Sequence, residues 1–147
     1  MDRSAIIAFF KDKAHAYTNG KMVSVARLFD VPCKLMIGTR SLDITRHSEI
    51  ESIFTNYRDA LLEKDFAETR SDVLHLSQAD DETTLCLVKY TNLDRSGGVI
   101  SEEATSYFVR KSDNGLMHIV SAEFVDEQSP NLFDGIEKTD SDAQTKS

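Results

Sequence analysis

Two histidines, His75 and His118, lie in strand-like stretches. An imidazole titrates near pH 6.5 and can give or take a proton at neutral pH, so both are acid/base candidates. His75 is the stronger catalytic candidate. The competing reading places such a strand histidine on an outer or dimer face with no chemical role. His15 and His47 sit near the ends of helical stretches, where solvation accounts for them. Four tyrosines offer hydroxyls: Tyr17 and Tyr57 on helical apolar stripes, Tyr90 and Tyr107 in alternating stretches. Cys33 and Cys86 fall in apolar surroundings and read as buried thiols. Neither belongs to a CxxC motif or a Cys/His cluster, so no metal site and no cofactor is expected. Gly97-Gly98 lacks the strand–loop–helix context and the following Lys-Ser/Thr of a phosphate loop, and a hairpin turn explains it.

The elements that carry these residues follow from hydrophobic period. Ile6, Phe10, Ala14 and Tyr17 recur at helical spacing over Ser4 to Tyr17, and Asn19-Gly20 supplies a left-handed stop. Met22, Val25, Ala26 and Phe29 predict a short helix over Lys21 to Phe29, ended by Asp30 and Pro32. Cys33 to Ile37 and Arg40 to Ile44 read as short strands. A third helix is predicted from Ser48, read as N-cap with Glu51 three residues on, along the stripe Ile50, Ile53, Phe54, Tyr57 and Leu61. After Asp65 the period changes to 2. Ala67 to Gln78, Thr83 to Asn92, Val99 to Lys111 and Leu116 to Val125 are then four long strands joined by short turns, hence antiparallel neighbours. Cys86, Val88 and Tyr90 share one strand face and Leu85, Leu87 and Lys89 the other. Both faces carry apolar residues, so both are expected to be covered, the second by another copy of the chain in a homodimer through the sheet.

The 147 residues make one domain, with 40% hydrophobic and 29% charged residues, a globular composition. The net charge is −8; residues 126–147 carry −4 of it, from six acids against Lys138 and Lys146. An acidic body without a Lys/Arg stripe excludes nucleic acid and anionic membrane surfaces as partners. Lys11 and Lys13 interrupt the first apolar stretch, so neither a signal peptide nor a membrane span is expected, and the reading is cytoplasmic. The polar tail at 126–147 has no period and is expected to be disordered.

The order α-α-β-β-α-β-β-β-β resembles the nuclear transport factor 2-like, SnoaL-like superfamily with its cystatin-like cone. Asn19-Gly20-Lys21 with Val25 to Phe29, the helix from Arg46 to Leu61, and the Asp113-Asn114-Gly115-Leu116-Met117-His118-Ile119 hairpin carry the resemblance, with Met117 where a Trp is usual. It covers residues 4 to 125. It implies an α+β fold in which three N-terminal helices pack in the concave face of a curved, mainly antiparallel sheet, over a cone domain at 1–125.

The resemblance also implies a ligand site in the mouth of the cone, between the first and third helices and the sheet. On that implication Tyr17, Tyr57, Tyr90, Tyr107 and His118 are pocket candidates. The steroid isomerases of this superfamily use a Tyr and two acids. Their positions fall here on Lys13, Ile37 and Thr105 or Ser106, with no carboxylate at either acid position, which argues against that chemistry. The Asp-Arg-Asp set of the epoxide hydrolases is matched in type by Asp43, Arg46 and Asp72 alone. The resulting expectation is an uncharacterised small-molecule-binding protein with a hydrophobic pocket and no catalytic constellation. Two alternatives stand beside it: a cofactor-independent cyclase, isomerase or dehydratase on a hydrophobic oxygenated substrate, using His75 with Tyr17 and Tyr57, and a dimeric interaction scaffold.

Overall fold

Helix α1 runs over Arg3–Thr18 and buries Ile6, Phe10, Lys13, Ala14 and Tyr17 along one stripe. A computed structural model of the chain describes residues 2–124. Asp2 caps α1 by accepting from the Ala5 amide at 2.7 Å. At the other end Gly20 takes φ +75°, a conformation open to glycine, and the chain reverses there as the Asn-Gly pair predicts. Arg58 closes this end by donating from Nε to the Tyr17 carbonyl (2.9 Å) and from its terminal nitrogen to that of Thr18 (2.8 Å). A cation on the last carbonyls of a helix meets the negative end of its dipole.

Helix α2 is one turn, Met22–Ala26, and ends before the Phe29 of the expected Lys21–Phe29 helix. The reason is that strand β1 claims Phe29–Ile37, passing through Pro32 by a cis peptide and a register shift instead of beginning at Cys33. Strand β2 is Arg40–Ile44 and helix α3 is His47–Leu62. The N-cap of α3 is Arg46, not Ser48. Glu49, three residues on, accepts from the Arg46 amide at 3.0 Å and the Thr45 amide at 2.8 Å, so the acid of the capping box is Glu49 rather than Glu51. Strands β3 (Phe66–Gln78), β4 (Thr83–Asp94), β5 (Val99–Lys111) and β6 (Met117–Phe124) form the antiparallel meander that the period-2 pattern predicts. Val125 and the tail at 126–147 lie outside the described residues.

The six strands form one curved mixed sheet in the order β2-β1-β6-β5-β4-β3. It is mixed because β1 runs parallel to β6, pairing Leu35 with Ala122. Its inner face meets the buried stripes of the helices in a single core that includes Phe10, Val25, Phe29, Ile50, Leu61, Cys86, Val88, Val109 and Ile119. Phe10 is 0% exposed and stacks at 4.8 Å between centroids on Tyr107. Burial of such a ring contributes about 1.5–3 kcal/mol. Both cysteines are free and buried, and burial pushes each thiol up to about 11. Among the described residues no helix is long and apolar enough to cross a membrane.

Candidate functional site

The inner faces of β4 and β5 are apolar at one end and polar at the other. Register sets Cys86 opposite Tyr107 and Val88 opposite Thr105, then Tyr90 opposite Glu103 and Asn92 opposite Ser101. Thr69, Asn92, Glu103 and Thr105 are all buried polar residues, at 7%, 1%, 6% and 1% exposure. A buried polar group is tolerated when it is bonded. Asn92 bonds Thr69 and Glu103, and Thr105 bonds Tyr107. The Asn92 carbonyl oxygen accepts from Thr69 Oγ1 at 2.6 Å. Its amide nitrogen faces Glu103 Oε2 at 2.8 Å, Ser101 Oγ at 3.0 Å and Tyr57 Oη at 3.2 Å, so two hydrogens serve three acceptors.

Helix α1 adds a cation to this end. Lys13 is 4% exposed, on the stripe with Phe10, Ala14 and Tyr17. Its Nζ donates to Tyr90 Oη at 3.2 Å, and the Tyr90 and Tyr107 hydroxyls share a 2.7 Å hydrogen bond. Three ring faces surround the nitrogen: Tyr90 at 4.8 Å, Phe54 at 5.2 Å and Tyr107 at 5.5 Å from their centroids. Each such contact stabilises a desolvated cation. Burial still wins: it lowers the Lys13 amine to about 8, against the Glu103 carboxylate, which raises it. Burial also raises the hydroxyls of Tyr17, Tyr90 and Tyr107, which therefore remain protonated at neutral pH.

These groups surround a cavity of about 30 Å³, lined by Lys13, Tyr17, Tyr57, Tyr90, Asn92 and Glu103 among others. Tyr17 lines it, and the Tyr17 hydroxyl is buried with no hydrogen-bond partner among the described residues. An unbonded buried hydroxyl costs about 1–3 kcal/mol.

Of the six site candidates named from sequence, four converge here: Tyr17, Tyr57, Tyr90 and Tyr107. The two histidines do not. His75 is exposed on β3 and pairs with Leu87, on the face turned away from Cys86 and Val88. His118 pairs with Arg110 on that same outer face and lies 3.5 Å from Asp30 Oδ1, while Arg110 also bonds Asp30. Thr105 is the inner residue of the Thr105/Ser106 pair and lines the cavity. Asp43 and Asp72 are exposed on β2 and β3, opposite edges of the sheet. Sequence reasoning missed Lys13, Thr69, Asn92 and Glu103 as a cluster. The signal was a polar side chain in core phase: Lys13 on the helical stripe, Asn92 two residues past Tyr90, Glu103 two before Thr105.

Residues 3–127 match the family described as NTF2-like protein (DUF6841). The chain belongs to that family. Among solved structures, the chain is similar to a domain of unknown function with a cystatin-like fold from Nostoc punctiforme, at TM-score 0.65 and 20% identity over 84% of this chain and 75% of that one. An NTF2-like protein with a cystatin-like fold from Novosphingobium aromaticivorans superposes at TM-score 0.62, with 14% identity over 89% and 88% of the two chains. A ketosteroid isomerase-like protein from Erwinia carotovora atroseptica gives TM-score 0.51 at 12% identity, over 86% and 99%. Likeness at these identities establishes the NTF2-like, cystatin-like fold and no activity. Among curated proteins none matches this chain.

Proposed function

We propose that this NTF2-like chain binds a small oxygenated molecule inside its cone, where the helices close on the concave face of the sheet. The observation that carries the reading is the unpartnered buried hydroxyl of Tyr17, a residue that lines the same cavity as the buried Lys13. Two donors held out of water on one small cavity suit a ligand oxygen that accepts from both. The 30 Å³ volume favours a compact ligand, and Lys13, Asn92 and Glu103 in an otherwise largely aromatic lining favour one that carries an oxygen. An acidic body and two thiols suit a reducing cytoplasm.

Titration of the isotope-labelled protein with acetamide tests the reading. Four heavy atoms contribute at most about 6 kcal/mol, so Kd is no tighter than about 40 µM. Saturable shifts at Lys13, Tyr17, Tyr90 and Tyr107, weakened in Tyr17→Phe, are expected. Shifts scattered over the outer surface would reject it.

A homodimer through the sheet is a second reading, favoured by the outer face. Leu85 stands there opposite Phe108, which is 37% exposed, beside the half-buried Leu87. Sedimentation should give a species of twice 16.5 kDa that Phe108→Asp dissociates; a monomer at high micromolar concentration argues against it.

A further inference from the structure

We propose that Lys13 Nζ is a nucleophile that captures a small neutral aldehyde as an imine within the cone; this rests on the cavity being the ligand site. Lys13 is the one lysine buried among the described residues, and its nitrogen lies on the cavity wall between three aromatic faces. An amine attacks only when neutral. With its pKa near 8 instead of 10.5, Lys13 has a neutral fraction at pH 7 about 300-fold above that of an ordinary lysine.

The surroundings then select the partner. From β5 the Glu103 carboxylate acts on the amine, with Tyr107 beside it; Tyr90 faces it from β4, and Tyr17 and Tyr57 line the same cavity from α1 and α3. A buried carboxylate repels an anionic carbonyl compound and stabilises a cationic iminium, so the electrophile is neutral. The cavity volume limits it to a few heavy atoms.

The step is balanced without an oxidant or reductant. The Nζ lone pair bonds the carbonyl carbon, and the C=O π pair moves to oxygen. The Tyr90–Tyr107 hydroxyl pair, 3.2 Å from Nζ at its near end, can take a proton from nitrogen and return one to that oxygen. The carbinolamine then expels its oxygen as water as nitrogen forms the C=N bond. Amine and aldehyde give imine and water, and both hydrogens of the water come from the amine.

The test incubates the full chain with acetaldehyde and cyanoborohydride at pH 7 and maps ethylated lysines by peptide mass. A nucleophile loses intrinsic reactivity as its pKa falls. If amines follow the slope of about 0.5 known for thiols, the 300-fold advantage shrinks to roughly tenfold. The expected result is ethylation of Lys13 about tenfold ahead of its exposed neighbour Lys11, slowed in Tyr90→Phe while Lys11 is labelled as before. Labelling of surface lysines first, with acetamide still perturbing the cavity residues, overturns the imine and leaves the binding site standing. Surface labelling with no acetamide binding overturns both.

Discussion

Replacing Lys13 by Met removes the buried charge and keeps the unbranched stem. Stability should then depend on pH in a way that isolates this one amine. The folded pKa is about 8 and the ordinary value 10.5, so the unfolded chain binds the extra proton between those limits. Stability of the wild type therefore carries the full penalty of the buried charge below pH 8 and recovers as pH rises towards 10.5. For the fully buried group, with a shift of this size, the recovery between pH 7 and pH 10 is about 2–3 kcal/mol. Cys33 and Cys86 work in the opposite direction. Their thiols are held up to about 11, so above pH 9 they oppose further gains, as do the buried tyrosines at still higher pH. Those groups are common to both proteins and cancel in the difference. Urea unfolding of wild type and Lys13→Met at pH 7, 8, 9 and 10 measures it. The stability of Lys13→Met relative to wild type should fall by about 2–3 kcal/mol across the series, with equal m-values. A difference that stays flat with pH would refute the placement of a depressed amine in the core.

Asn92→Ala strands Thr69, Tyr57 and Glu103 together and should cost about 3 kcal/mol or more in urea unfolding, more than any single tyrosine hydroxyl in the cluster. Arg58→Met uncaps the Tyr17 and Thr18 carbonyls and should cost roughly 2 kcal/mol, read from the same assay. His75→Ala should change stability by less than about 0.5 kcal/mol and leave the acetamide shifts intact, because the side chain is exposed on the outer face.

The meander was legible because β3 to β6 keep one period and are joined by turns too short for any other pairing. The Asn19-Gly20 stop was legible because a left-handed residue is needed there. The start of α3 was not. Ser48 and Glu51 have the right spacing, but so do Arg46 and Glu49, and two backbone amides at Thr45 and Arg46 choose Glu49. The parallel β1–β6 contact was not legible either, since no local signal pairs residues 35 and 122. The site was half legible. Tyr17 and Tyr57 from helical stripes and Tyr90 and Tyr107 from alternating stretches line one cavity. The histidines were candidates by titration range, with an outer face as the competing reading, and strand register turns His75 and His118 outward. Lys13 stood only at the tyrosine position of the steroid isomerases, where it counted against that chemistry and not as a site residue in its own right. Its place one residue before Ala14, three after Phe10, puts it in the core.

The central claim is that the Lys13–Tyr17 end of the cone is a binding site for a small oxygenated molecule. A crystal structure of the protein soaked with acetamide tests it most directly. The amide oxygen is expected within hydrogen-bond distance of Tyr17 Oη and Lys13 Nζ, with Tyr90 and Tyr107 still paired. Acetamide found only on the outer surface, with the Tyr17 hydroxyl bonded to a neighbouring side chain instead, would contradict it.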